Sequence, residues 1–178
     1  MKRFLLFIIV LSFIFVPSAE AMTIKYDDKP IQCEIPDGAI GVWQIPYLKI
    51  VVPVYDGPRY KWQDIVDEDY SALLSNWGTA RMIGDHALSD SVNNIGWWDI
   101  ESVRLGMQAF FVKNDGIYEY LCCLTAVVDV QPWGYTINGK TLSPYSSTDI
   151  LNVCCFGNDS TRNFVALFKY IGGYDSVH

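Results

Sequence analysis

Turn-forming residues divide the chain into short β-type segments, and this pattern limits the folds open to it. The strongest turn sequences are Asn114-Asp115-Gly116 and Asn138-Gly139, each between stretches rich in β-branched and aromatic residues. Further β-type segments cover residues 40–45, 48–55, 80–83, 150–155 and 163–171. Many short strands joined by tight turns predict a mainly antiparallel, closed or nearly closed β-barrel.

Two segments have helical character. In residues 63–77, Ile65, Tyr70, Leu73 and Leu74 can share one face, which predicts a helix near residues 64–74. Residues 97–105 predict a second, shorter helix. The predicted fold class is therefore all-β in the main, a β-barrel with one or two short helices.

The first 21 residues are typical of an export signal. Lys2 and Arg3 precede the apolar stretch 4–16, and residues 17–21 end in an A-x-A cleavage pattern. We expect residues 1–21 to be a signal peptide or membrane anchor, residues 22–38 a polar linker, and residues 39–175 the barrel domain. The predicted location is extracytoplasmic, either secreted or anchored at the cell membrane or surface.

The charge of the chain excludes several classes of binding protein. The formal net charge is −7, and the loss of Lys2, Arg3 and Glu20 with the first 21 residues makes it −8. Nucleic acids and anionic membranes both attract basic surfaces, so neither is a predicted partner. Membrane contact is expected only through the N-terminal segment. The sequence also has no glycine-rich phosphate loop and no C-x-x-C pair.

Five cysteines in an exported chain raise the question of disulfides. They are Cys33 and two adjacent pairs, Cys122-Cys123 and Cys154-Cys155. Adjacent strand residues belong to opposite faces, so neither pair is expected to bond to itself. A bridge from Cys33 to Cys122 or Cys123 is possible, but the odd number leaves at least one thiol free in the monomer.

Three residues suggest thiol-based acyl transfer. His86 precedes the Cys154-Cys155 pair by about seventy residues, and Arg162 follows that pair within one short loop. An imidazole can stabilise a thiolate and donate a proton to a leaving amine. A guanidinium, which is always charged, can hold a substrate backbone or stabilise an oxyanion.

Four segments around these residues resemble the sortase family, in the same order along the chain. Residues 40–57 (I-G-V-W-Q-I-P-Y-L-K-I-V-V-P-V-Y-D-G) resemble the opening strands of the sortase barrel, and residues 83–86 (I-G-D-H) correspond to the strand that leads to the family's histidine. The third segment is the strand at residues 105–112 together with the following, returning strand at residues 118–120. The fourth is residues 149–155 followed by residues 162–166 (R-N-F-V-A). The resemblance covers residues 39–172.

This resemblance implies a cysteine transpeptidase of the bacterial cell surface. Such an enzyme cleaves a C-terminal sorting signal through a thioester intermediate. It then transfers the protein to an amine of a peptidoglycan precursor or a pilin. No cofactor is expected. A minor possibility is calcium held by carboxylates such as those of Asp64, Asp67, Glu68 and Asp69.

The resemblance implies His86, Cys155 and Arg162 as the catalytic residues, with Cys154 as the alternative nucleophile. The family's T-L-x-T-C motif matches poorly in either register. Cys155 places the nucleophile at the end of the strand, whereas Cys154 fits an alternation that keeps Asn152 out of the core. This poor match also permits a second class of function, a non-catalytic sortase-like surface module that binds peptide.

Overall fold

The chain was analysed as a computed structural model, which describes residues 27–56, 72–77, 80–84, 100–129, 136–137, 140–141, 148–156 and 159–175. Short 3-10 helices cover Pro46–Leu48 and Ile100–Ser102. The strands are β1 Gly41–Ile45, β2 Ile50–Asp56, β3 Ala72–Trp77, β4 Ala80–Gly84, β5 Gln108–Lys113, β6 Gly116–Asp129, β7 Thr136–Ile137, β8 Lys140–Thr141, β9 Ile150–Phe156 and β10 Asp159–Tyr174.

Eight of the described strands close into one barrel, in the order β1-β2-β3-β4-β9-β10-β6-β5. Pairing of β1 with β5 closes it, while β7 and β8 form a separate two-stranded hairpin. Two of the eight barrel pairs, β2–β3 and β4–β9, are parallel, and the other six are antiparallel. The prediction of a mainly antiparallel β-barrel is confirmed.

Both predicted hairpins are present. β5 and β6 are antiparallel on either side of the turn at residues 114–115, and β7 and β8 flank residues 138–139. The local turn chemistry of Asn-Asp-Gly and Asn-Gly therefore indicated these connections correctly.

The predicted helices are wrong where the structure describes them. Residues 72–77 form β3, which pairs in parallel with β2 and antiparallel with β4. Hydrogen bonding on both strand edges outweighs the local helical spacing of Leu73 and Leu74. Residues 57–71, the rest of that prediction, lie outside the described residues. Of the predicted helix 97–105, residues 97–99 lie outside the described residues, Ile100–Ser102 form a 3-10 turn, and residues 103–105 are not helical.

The barrel interior is an aromatic and aliphatic core centred on Trp43. The indole packs edge-on against Phe111, Tyr120 and Phe168, with ring centroids 5.2–6.1 Å apart. Every described barrel strand whose burial is known contributes to this interior cluster. A second buried cluster lies on the outer face of β4, β6, β9 and β10: Met82, Val128, Leu151, Val153, Val165 and Leu167.

The segment before β1 is attached to the barrel. We call residues 28–33 the strap. The fully buried Gln44 side chain accepts a hydrogen bond from the Ile31 amide at 2.7 Å and donates to the Ile31 carbonyl at 2.8 Å. Gln108 accepts one from the Asp28 amide at 2.9 Å. These bonds hold the strap against the outer face of β1 and β5, across the barrel from β4 and β9.

Candidate active site

The end of β4 lies beside the C-terminal half of β9. Their parallel register pairs Met82 with Leu151, Ile83 with Asn152 and Gly84 with Val153. β4 ends at Gly84, and residues 85–99 lie outside the described residues. The predicted histidine, His86, falls in that range.

β10 places Arg162 close to the other end of the predicted site. Asn163 pairs with Cys155, so Arg162 adjoins the residue that lies directly across from the predicted nucleophile. On its other edge β10 pairs Arg162 with Asp129 of β6. The Arg162 side chain is exposed. In the described part of the site, the backbone of Arg162 is therefore one residue from the position that pairs with Cys155.

Cys154, the alternative nucleophile, lies in the barrel interior. Its side chain is 2 % exposed and belongs to the interior cluster with Ile150 and Phe164. A thiol in an apolar core is poorly placed for attack on a polypeptide, because the substrate cannot reach it and burial disfavours the thiolate. Positions in a strand alternate between faces, so position 155 belongs to the opposite face, shared with Leu151 and Val153.

Asn152 lies in the core, and the expectation that alternation keeps it out is wrong. Its side chain is fully buried, and Oδ1 accepts a hydrogen bond from Trp43 Nε1 at 3.0 Å. Nδ2 is buried without a hydrogen-bond partner. A buried donor without a partner lowers the stability of the folded state by about 1–3 kcal/mol, so asparagine at this position is destabilising in that respect. Sequence reasoning missed the pair because its two residues are 109 positions apart.

The remaining described cysteines, Cys33, Cys122 and Cys123, carry free thiols, so the predicted bridge from Cys33 is not formed. Burial raises the pKa of Cys122 to about 12. Burial also raises the pKa of Cys33, and it raises that of Cys123 with a further contribution from the charge of Asp149. A nucleophilic cysteine needs a lowered pKa, so none of these three has the electrostatics of a nucleophile.

Metal ligands do not cluster in the described part of the chain. No group of three or more His, Cys, Asp or Glu side chains there is arranged to hold an ion. The four acids considered for calcium, Asp64, Asp67, Glu68 and Asp69, lie outside the described residues. Among the residues that were placed, no helix is long and apolar enough to cross a membrane.

Comparison with solved structures identifies the barrel type. The chain is similar to sortase A from Listeria monocytogenes, with a TM-score of 0.60 and 15 % identity over 79 % of this chain and 92 % of that one. It is also similar to sortase C from Streptococcus pneumoniae, with a TM-score of 0.61 and 14 % identity over 80 % and 73 % of the two chains. For a sortase from Actinomyces oris the TM-score is 0.59 and the identity 16 %, over 85 % of this chain and 90 % of that one. No protein-family model and no curated protein matches the sequence.

Proposed function

We propose that this chain, which has the sortase fold, is a cysteine transpeptidase with Cys155 as its nucleophile. At 14–16 % identity, the similarity to the three sortases is one of fold, and the activity is inferred from this chain's own residues. The proposed substrate is the C-terminal sorting signal of an exported protein. The proposed acceptor is an amine of a peptidoglycan precursor or a pilin.

The observation that carries this proposal is the strand register around the end of β9. Gly84 pairs with Val153 in the parallel β4–β9 ladder. In the sequence, His86 follows Gly84 by two residues, as Cys155 follows Val153. On the other side of β9, Asn163 pairs with Cys155 and brings Arg162 alongside. The described strands thus bring the end of β4, which precedes His86 in the sequence by two residues, beside the part of β9 that leads to Cys155, with Arg162 on the next strand.

The proposed reaction proceeds in two acyl transfers. The Cys155 thiolate attacks the carbonyl carbon of the scissile peptide bond, and Arg162 stabilises the resulting oxyanion or holds the substrate backbone. His86, as the imidazolium, donates a proton to the leaving amine while the C–N bond breaks and a thioester forms. An acceptor amine then attacks the thioester, losing a proton to the imidazole. The thiolate leaves, and a new amide bond is formed.

The choice of Cys155 over Cys154 is supported by burial. Cys154 is 2 % exposed within the interior cluster, where a polypeptide substrate cannot reach its thiol. The N-terminal sequence supports an exported protein, which matches the location of sorting signals and acceptor amines. We propose that residues 1–21 direct export, whether or not they are removed, and that residues 39–175 form the catalytic domain.

A panel of sorting-signal peptides tests the proposal. The exported domain is incubated with each peptide, and a covalent thioester adduct is sought by intact-protein mass spectrometry, with release of the C-terminal fragment as a second readout. His86→Ala should lose most of the rate, because the thiolate loses its counter-charge and the leaving amine its proton. Arg162→Lys should also be slow, because an ammonium cannot reproduce the planar guanidinium fork.

Two results would count against the enzyme. If no peptide in a broad panel is cleaved by the wild type while some bind, the non-catalytic peptide-binding module becomes the better account. If a peptide is cleaved but both His86→Ala and Arg162→Lys keep the wild-type rate, the catalytic residues lie elsewhere.

A further inference from the structure

Residues 150–154 of β9 are buried, and both faces of this part of the strand are largely apolar. Ile150 and Cys154 lie in the interior cluster, and Leu151 and Val153 lie in the outer cluster, all with 2 % exposure or less. A one-residue slip of a strand moves every side chain to the other face. In most strands such a slip buries polar groups and exposes apolar ones. Here it exchanges one apolar set for another, so burial alone only weakly specifies the register of β9.

The slip would matter because two cysteines are adjacent at the end of this strand. In the observed register, Cys154 is the interior thiol and position 155 belongs to the outer face. A one-residue shift would exchange these positions. Whichever residue fixes the register therefore also decides which of the two cysteines faces the barrel interior.

Asn152 is the polar residue that distinguishes the two faces of β9. Its Oδ1 accepts the Trp43 Nε1 hydrogen bond at 3.0 Å inside the barrel. An indole N–H is a donor only, so it must meet the amide oxygen and the amide orientation is fixed. The donor is itself held in place by Phe111, Tyr120 and Phe168 packing around the indole. In the slipped register, Trp43 would lose its acceptor and Asn152 would leave the interior.

We propose that Asn152 is a positioning residue whose hydrogen bond from Trp43 fixes the register of β9 and so keeps the Cys154 thiol, rather than that of Cys155, on the interior face of the strand. β1 and β9 are not neighbours in the barrel, so the bond ties β9 to a strand outside its own ladders. A single buried polar residue can specify register in this way at a cost in stability. The consequence for catalysis rests on the proposed transpeptidase function, whereas the register itself does not.

Site-resolved thiol labelling tests this role. Native protein is exposed to a short pulse of a methanethiosulfonate reagent, and the labelled cysteine is located by fragmentation mass spectrometry. Asn152→Leu removes the acceptor at similar volume, and Trp43→Phe removes the donor but keeps an aromatic ring. Ile150→Val, on the same strand and facing the same interior, is the control for simple loss of packing.

In the wild type, Cys154 should be protected. In Asn152→Leu and in Trp43→Phe it should label roughly tenfold faster, the factor set by the net contribution of one hydrogen bond. The denaturation midpoint of Asn152→Leu should be no lower than that of Ile150→Val, because removal of the unsatisfied Nδ2 offsets the loss of the acceptor for the Trp43 indole N–H. Ile150→Val should keep Cys154 protected.

The proposal is overturned if Cys154 stays as protected in Trp43→Phe and Asn152→Leu as in the wild type. It is also overturned if Ile150→Val exposes Cys154 equally, since the effect then reflects stability rather than register. Should Asn152→Leu fail to fold, the pair would be an ordinary stabilising contact and the proposal would be wrong. A wild type that cleaves no sorting peptide would remove the proposed function but leave this labelling comparison fully interpretable.

Discussion

Replacing Gln44 with methionine should release the strap from the barrel without disrupting the barrel itself. Methionine keeps the length of the side chain but removes both polar atoms. Gln44 makes two hydrogen bonds to the Ile31 backbone, at 2.7 and 2.8 Å, and a third contact from Nε2 to Cys33 Sγ at 3.0 Å. Two hydrogen bonds at about 0.5–1.5 kcal/mol each place the loss of docking free energy at about 2 kcal/mol.

Amide hydrogen exchange at Ile31 measures this loss directly. A change of about 2 kcal/mol corresponds to roughly thirtyfold faster exchange when the strap opens locally. Amides in the paired part of β2, such as that of Val52, should keep their wild-type rates. The matched control is Gln108→Met, which removes the 2.9 Å bond from the Asp28 amide and should act mainly there. An Ile31 rate within twofold of wild type in Gln44→Met would refute the reasoning, as would equal acceleration at Val52.

Three further predictions concern stability. Gly41→Ala should lower stability by about 1–3 kcal/mol in thermal denaturation, because the added Cβ would lie 2.6 Å from the Val112 carbonyl oxygen; an unchanged Tm would contradict this. Burial raises the pKa of the Cys122 thiol to about 12 in the folded state, against 9.0 for an unburied thiol, so rising pH favours the unfolded state. Wild-type stability should therefore fall about 1 kcal/mol more than that of Cys122→Val between about pH 8 and pH 10, and parallel curves would contradict the burial argument. Burial and the charge of Asp27 raise the pKa of Asp28, whose Oδ2 has no hydrogen-bond partner, so the ionised carboxylate disfavours docking of the strap. Asp28→Asn should therefore slow amide exchange at Ile31 at neutral pH. Faster exchange would contradict this.

Local signals in the sequence were sufficient for much of the barrel. The Asn114-Asp115-Gly116 turn specifies its hairpin through backbone preferences of adjacent residues, and the β5–β6 pairing follows. Residues 72–77 show the opposite case. Leu73 and Leu74 fit a helical face, but the strand they form is decided by β2 and β4, whose partner residues lie elsewhere in the chain. Periodicity within one window does not contain that information.

The candidate site also has features that the sequence predicts and features that only the folded structure provides. Residue order and family resemblance predicted Arg162 and the two cysteines as site residues, and the β9–β10 pairing puts Asn163, the neighbour of Arg162, across from Cys155. The sequence left the choice between Cys154 and Cys155 open, because both faces of β9 are apolar. The Trp43–Asn152 bond that distinguishes those faces joins residues 109 positions apart, and no local pattern marks it.

The most direct test of the central claim compares Cys154→Ala with Cys155→Ala, each assayed with a sorting-signal peptide that the wild type cleaves. Thioester adducts are measured by intact-protein mass spectrometry, and peptide binding is measured separately. We predict that Cys155→Ala forms no adduct but still binds peptide, because only the sulfur forms the covalent bond, whereas Cys154→Ala keeps its adduct. The opposite pattern, or full turnover by both variants, would contradict the assignment of Cys155 as the nucleophile.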